Sequence, residues 1–116
     1  MNNNGILTTT EELMAVNYQE YKTISEPGVY ILRLMFRSWY KMGLICYFED
    51  YNDGRKYKLY CFRHIIDGKE IYNPRSSKID FSQVPDGTNW ECEILINKKN
   101  NYFWENAKLV EKQILK

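Results

Sequence analysis

Apolar and polar residues alternate along most of the chain after residue 28, which predicts a succession of β-strands. The segment "GVYILRLMFRSWY" (28–40) is β-branched and aromatic on both faces, a pattern typical of a long central strand. The dipeptides Asp53-Gly54 and Asp67-Gly68 each predict a hairpin turn, and a strand fragment is predicted near 79–81. "WECEILIN" and "YFWENAKLV" predict a last hairpin. The pattern therefore indicates about six strands.

The N-terminal part of the chain has a different pattern. Residues 1–8 are predicted to be a flexible terminus, and residues 9–116 to form a single β-barrel-like domain. Thr9 followed by Glu12 fits a capping box, and Met14, Tyr18 and Tyr21 follow at helical spacing. We therefore expect one N-terminal helix near residues 9–18.

The order of one helix and then hairpins favours a mainly β fold. We predict a small antiparallel β-barrel or curled sheet of about six strands, similar in strand count to OB, PUA-like and SH3-like barrels. The pattern does not choose among these three topologies.

The hairpin around Asp53-Gly54 predicts which face of its strands is buried. A two-residue turn pairs Cys46 with Cys61 and Phe48 with Leu59, which makes one face apolar and directs it into the core. The same register pairs Tyr47 with Tyr60, Ile45 with Phe62, and Glu49 with Lys58 on the opposite face. That second face is expected to point outward or toward a partner, and it carries Tyr47, Lys58, Tyr60, Phe62 and His64.

The last hairpin gives a similar prediction with one conflict. A turn centred on Lys99-Asn100 pairs Cys92 with Ala107, Trp90 with Leu109, and Leu95 with Trp104. It also places Glu105 on the apolar face opposite Ile94. We interpret that buried carboxylate as a sign of a one-residue error in the register.

The composition favours a reduced intracellular protein. The three cysteines, Cys46, Cys61 and Cys92, lack metal-binding spacing and are predicted to be reduced, half-buried thiols. No apolar run approaches the ~20 residues of a membrane span, and the first residues do not resemble a signal peptide. We therefore expect a cytoplasmic location without membrane association.

Catalytic chemistry has little support in the sequence. His64 is the single histidine, which excludes a multi-histidine metal site, and Cys61 falls on the opposite strand face from it. Neither a phosphate-binding nor a nucleophile motif occurs. We expect no enzymatic activity, no metal and no cofactor.

The charge distribution and the aromatic content point to nucleic acid. Net charge is +1, but residues 33–78 hold ten lysines and arginines against five acids, a local excess of five. Single-strand-binding proteins combine such positive surfaces with aromatic rings on which bases stack. Arg33, Arg37 and Trp39 are predicted to share one face of the preceding strand and to extend the outward face. We therefore predict binding of RNA or single-stranded DNA through Lys56, Lys58, Tyr60, Phe62, Tyr47, Arg33, Arg37 and Arg63.

A protein–protein interaction module, or an inhibitor acting through such a surface, is the alternative. Aromatic residues and arginine dominate interface hot spots, and Trp39, Tyr40, Tyr102 and Trp104 are candidates for such a patch or for a homodimer surface. The Asn-, Lys-, Ile- and Tyr-rich composition is typical of AT-rich bacterial genomes, whose plasmids and phages encode small regulatory proteins of this size.

Overall fold

The computed structural model describes residues 20–110, which form one sheet of seven strands. The helix predicted near residues 9–18 and the terminus at 1–8 lie outside the described residues. The strands are β1 (Lys22–Thr23), β2 (Gly28–Tyr40), β3 (Gly43–Asp50), β4 (Lys56–Ile66), β5 (Lys69–Asn73), β6 (Asn89–Ile96) and β7 (Tyr102–Leu109).

The sheet follows the order β1-β4-β3-β2-β6-β7, and β5 pairs with β4 as a side branch. All pairings are antiparallel except that of β1 with β4. The sheet bends so that β7 approaches β4, and a cleft is lined by residues of both strands. It is not closed into a barrel, since no ladder joins β4 to β7 within residues 20–110. The mainly β architecture is confirmed, in the form of a curled sheet.

A short segment after β5 partly bridges the gap between β4 and β7. The backbone N–H of Arg75 donates to the carbonyl of Trp104 (3.0 Å), and that of Ser76 donates to the carbonyl of Glu105 (2.8 Å). These bonds satisfy part of the free edge of β7 without forming a strand. An open edge is thereby covered by a loop, one of the usual ways to protect it.

The core lies inside the curl and is built on aromatic contacts. Phe81, from the long segment between β5 and β6, packs against Trp90 and Trp104 with ring centroids 4.8 and 4.7 Å apart. Phe48 contacts Trp104 edge-to-face at 5.6 Å. Each such buried ring contributes roughly 1.5–3 kcal/mol through removal of apolar surface from water. Smaller buried members of the cluster are Ile24, Leu32, Leu34, Leu44, Cys46, Leu59, Cys61, Cys92, Ile94 and Ala107.

The β3–β4 hairpin differs from its predicted register by two residues. Cys46 pairs with Leu59, and Tyr47 pairs with Lys58. The loop is longer than two residues because the Asp50 carboxylate accepts backbone N–H bonds from Asn52 (2.8 Å) and Asp53 (3.3 Å). A shift of two keeps every side chain on its predicted face, since the strand period is two.

The predicted core face of this hairpin is therefore confirmed although the pairings are wrong. Cys46, Phe48, Leu59 and Cys61 are all buried. The Asp67-Gly68 turn is confirmed as well. Both of its residues have left-handed φ, 52° and 79°, as a two-residue type I′ turn requires.

A β-bulge at Met35 changes the facing of β2. Leu34 pairs with Phe48 and Phe36 pairs with Tyr47, so Met35 has no partner. Arg33 therefore faces outward opposite Glu49, whereas Arg37 and Trp39 pair with the core-facing residues Cys46 and Leu44. The prediction that Arg33, Arg37 and Trp39 share one face is wrong, because it assumed an uninterrupted alternation.

The β6–β7 hairpin confirms one half of its predicted register. Cys92 pairs with Ala107 and Trp90 with Leu109, as predicted, but the register shifts at Glu105 so that Ile94 pairs with Trp104. The bulge explains the conflict in the sequence. It turns Trp104 into the core and lets the Glu105 carboxylate accept a hydrogen bond from the hydroxyl of Ser76.

The strand fragment predicted at 79–81 does not form. Asp80 instead organises a loop, because its carboxylate accepts bonds from the backbone N–H groups of Tyr72 and Ser82, both at 3.1 Å. Phe81 donates one backbone bond to the carbonyl of Tyr72 (2.7 Å). The apolar residues of this segment do not form a strand; Phe81 packs into the core from a loop.

Candidate nucleic-acid interface

The outer face of β4 carries the strand's alternate residues from Lys56 to His64. Phe62 is 52% exposed, and Tyr60 is half-buried with its ring edge-to-face on Tyr40 at 5.4 Å. His64 donates through Nδ1 to the side-chain oxygen of the buried Asn73 (2.5 Å), which anchors the start of the next loop. Two aromatic rings and a lysine thus lie next to one another on the outer face, as predicted.

Tyr47 does not belong to this exposed surface. It is 4% exposed, stacks on Phe36 with centroids 4.6 Å apart, and meets the edge of Tyr21 at 5.3 Å. Its hydroxyl lies 3.1 Å from that of Ser38. Tyr47 lies on the outer face as predicted, but it is not exposed there, because Tyr21 covers this part of the sheet. The sequence pattern places Tyr21 in the helical spacing of the N-terminal segment, so its contact with Tyr47 was not predicted.

The predicted cations divide according to their partners. Lys56 forms an ion pair with Glu20, and Arg63 forms one with Glu70, both at 3.2 Å. Within residues 20–110, the side chains of Lys58 and Arg33 form no ion pair or hydrogen bond. An unpaired cation is the better candidate for a phosphate contact, because it has no carboxylate to displace.

Arg37 serves the fold. Its guanidinium donates to the carbonyls of Phe81 (2.8 Å) and Val84 (2.5 Å) and pairs with Asp86 (3.0 Å). Its side chain is 20% exposed. These bonds fasten the segment that carries Phe81 to the end of β2, so Arg37 is not placed to bind a ligand.

A cleft at the gap between β4 and β7, here called the seam cleft, lies beside the exposed part of β4. Its volume is about 160 Å³. Its residues come from β1 and the residue after it, from β4, from β6 and from the start of β7. They are Thr23, Ile24, Lys58, Leu59, Tyr60, Phe62, Ile94, Tyr102, Phe103 and Trp104.

The seam cleft brings together predicted and unpredicted residues. Lys58, Tyr60 and Phe62 line it together with Tyr102 and Phe103, which were not predicted to join them. The guanidinium of Arg75 lies over the ring of Phe103, 4.9 Å from its centroid, and adds a further cation nearby. The aromatic run "YFW" was a visible sign that β7 offers rings for stacking. Its position beside β4 could not be predicted, because the bend of the sheet brings the two strands together.

A second groove, here called the turn groove, lies at the β2–β3 turn and has a volume of about 350 Å³. Trp39 is 63% and Met42 62% exposed, and Phe62 lines this groove as well as the seam cleft. The predicted patch of Trp39, Tyr40, Tyr102 and Trp104 does not form. Trp104 is buried, and Tyr102 lines the other cleft.

The thiols are buried, and the acids do not cluster into a metal site in the described part of the chain. Cys46, Cys61 and Cys92 are free and fully buried, not half-buried as predicted. Burial raises the pKa of the Cys61 and Cys92 thiols well above the usual range, which keeps them neutral and unreactive. Between residues 20 and 110, no group of three His, Cys, Asp or Glu side chains is placed to hold a metal ion.

Comparisons with known proteins leave the functional argument to the geometry. No protein family, curated protein or solved structure matches this chain. In residues 20–110 there is no helix with the length and apolar character needed to cross a membrane.

Proposed function

We propose that this protein is a non-catalytic, regulatory binder of single-stranded nucleic acid, either RNA or single-stranded DNA. The observation that carries the proposal is the grouping of Lys58, Tyr60 and Phe62 with Tyr102 and Phe103 around one cleft. The proposed compartment is the cytoplasm, where three free thiols stay reduced.

The grouping suits a single strand for two physical reasons. Each base that stacks on an aromatic side chain gains roughly 1–3 kcal/mol, whatever its sequence, because every base has a π-face. A cation beside the ring neutralises the phosphate that joins successive bases. Phe62 leaves about half of its surface to solvent, and Lys58 has no competing carboxylate among the described residues.

The strand order supports the same function. β2, β3 and β4 form a meander, β6 pairs with β2, and β7 returns beside β4 across the seam cleft. This is the order of the partly open Greek-key barrel called the OB-fold, and we propose that the domain is OB-like. In that fold, the face of the second and third strands binds oligonucleotides. Their counterparts here are β3 and β4.

The roles assigned to the predicted residues differ from one another. Lys58 is the main phosphate contact, and Tyr60 and Phe62 are stacking platforms. Lys56 and Arg63 contribute less, since each must first leave a carboxylate. Arg33 lies on the outer face without a partner among the described residues, so it extends the positive surface.

Fluorescence anisotropy of labelled single-stranded RNA and DNA 20-mers, titrated at low and moderate salt, tests the proposal. Lys58→Gln is expected to weaken binding several-fold and to reduce the slope of log K against log salt by about 0.7, the value for one phosphate on a single strand. Lys108→Gln is the matched control. It makes the same charge change at an exposed site near the other end of β7 and is expected to leave the slope unchanged.

Absence of binding at low salt, or equal losses in Lys58→Gln and Lys108→Gln, would overturn the proposed function. A second candidate is then favoured by the turn groove, where Trp39 and Met42 are both more than half exposed. Clustered exposed apolar residues of this kind mark protein interfaces. Binding of a protein partner there would depend little on salt and would be lost in Trp39→Ala.

A further inference from the structure

The seam cleft extends from the outer face of β4 into the core. Ile24, Leu59, Ile94 and Trp104 line it and also belong to the core cluster. Its rim is formed by the residues assigned to nucleic-acid binding, including Lys58, Tyr60 and Phe62. A group that stacks on the rim can therefore pass directly into an apolar recess.

The size of the recess limits what enters it. A volume of about 160 Å³ is close to the roughly 150 Å³ of an apolar protein cavity that holds one benzene ring. A pyrimidine has a single six-membered ring of that size. A purine adds a fused second ring, which would have to remain outside a recess of this volume.

The main chain of β4 borders the recess without a strand partner on that side. β1 pairs only with Tyr57 and Lys58, and β5 pairs from Phe62 onward. The Asp50 N–H donates to the Arg55 carbonyl, and from that bond the ladder alternates, so the peptide groups of Leu59 bond to β3 and those of Tyr60 point away from it. Among the described residues, no other segment pairs with Tyr60 on that side, so its N–H and C=O are available to hydrogen-bond the polar edge of a base, which would otherwise be costly to bury.

We infer that the seam cleft is a base pocket for one pyrimidine of a single strand of DNA, with thymine favoured over uracil. Thymine is favoured because its C5 methyl group gains from apolar contact, and Ile24, Leu59 and Ile94 offer such contact. Lys58, at the rim, holds the phosphate of the inserted nucleotide. The inference rests on the proposed function and adds a base preference to it.

The test compares 12-mers of thymidine, deoxyuridine and deoxyadenosine by fluorescence anisotropy, together with the uridine RNA. Wild-type protein is expected to bind oligo-dT about tenfold tighter than oligo-dA and roughly threefold tighter than oligo-dU. Deoxyuridine differs from thymidine only in the methyl group, and uridine RNA differs from deoxyuridine only in the 2′-hydroxyl. Those two pairs separate the base from the sugar.

Oligo-dA binds many proteins weakly because its bases stack on one another, so a preference for dT over dA alone does not prove a pocket. A variant that fills the cleft separates the two explanations. Thr23 lines the cleft at an exposed strand position, and Thr23→Phe adds a ring there with Thr23→Val as the isosteric control. Thr23→Phe is expected to reduce the preference for dT over dA to about twofold, while Thr23→Val retains it. Thermal melting confirms that both variants fold.

Each outcome has a defined meaning. An unchanged preference in folded Thr23→Phe overturns the inference, as does equal wild-type affinity for dT and dA. Equal affinity for dT and dU also overturns it, and this comparison needs only the wild-type protein. Tighter binding of uridine RNA than of oligo-dT contradicts the assignment to DNA. Failure to bind any of the oligonucleotides defeats the proposed function itself.

Discussion

Tyr47 and Lys58 are directly opposite each other across the β3–β4 ladder, on the same outer face, yet their environments are opposite in kind. Tyr47 is buried against Tyr21 and Phe36, whereas Lys58 reaches the rim of the seam cleft without an ionic partner in the described residues. The boundary between covered and open sheet therefore runs between neighbouring strands. Residues on this face must be assigned individually.

Two aromatic residues on this face are expected to respond differently to truncation. Tyr47→Ala removes a buried ring and is expected to lower the free energy of unfolding by about 3–5 kcal/mol. Phe62→Ala removes a half-exposed ring and is expected to cost less than about 1.5 kcal/mol, while weakening single-strand affinity at least fivefold. Urea unfolding and anisotropy measure the two effects. Equal stability losses would contradict this division.

Arg37 is expected to matter for stability and not for binding. Arg37→Ala leaves two backbone carbonyls without their donor and is expected to cost about 1–3 kcal/mol in unfolding free energy. The salt slope of nucleic-acid binding should stay unchanged in the folded variant. Asp86→Asn is the control. It weakens only the more exposed ion pair and is expected to cost less than about 1 kcal/mol.

Gly43 is expected to be intolerant of any side chain. A Cβ atom at this position would lie 2.1 Å from the carbonyl oxygen of Cys61, so strands β3 and β4 would have to separate. Gly43→Ala is expected to cost about 3 kcal/mol or more. Gly54→Ala, where φ is 74° and the surrounding space is open, is the control at about 1–2 kcal/mol. Urea denaturation of both variants gives the comparison, and a smaller loss at Gly43 would refute it.

The buried thiols predict a loss of stability at alkaline pH. Burial raises the pKa of Cys61 and Cys92 in the folded state, so the unfolded chain releases their protons first. Their contribution is complete below about pH 8.5, the usual thiol value, and declines as the pH rises beyond it. The slope is at most about 1.4 kcal/mol per pH unit for each thiol.

Urea unfolding with a reducing agent at pH 7.5, 8.5 and 9.5 measures this decline. Cys92→Ala should reduce the slope between the two higher values, although it lowers stability at every pH. An unchanged slope in that variant would show that other groups cause the decline.

Local chemistry determined how much of the fold could be predicted. The Asp67-Gly68 turn and the core face of β3 and β4 follow from residue types and the strand period alone. The Asp53-Gly54 turn was misjudged because Asp50, three residues earlier, binds the loop backbone and lengthens it. Both bulges escaped prediction, although Glu105 on an apolar face was a visible sign of one.

The candidate site was only partly predictable, because bending of the sheet assembles it. Lys58, Tyr60 and Phe62 follow from the alternation within one strand. Tyr102 and Phe103 reach the same cleft from a strand more than forty positions later, and no local pattern encodes that approach. Ion pairing likewise depends on distant partners, as for Lys56 with Glu20.

The bulge at Met35 divides β2 into two halves in which the alternation of side chains is out of step by one residue. Even-numbered positions lie on the core face of the sheet before it, and odd-numbered positions lie on that face after it. If the strand kept Met35 but paired without the bulge, the alternation would run on unbroken and the second half of the strand would face the opposite way. Phe36 would then compete for the interior, and Arg37 would lose its bonds to the Phe81 segment. One residue without a ladder partner thus determines which side chains of this strand lie on the core face and which lie on the outer face.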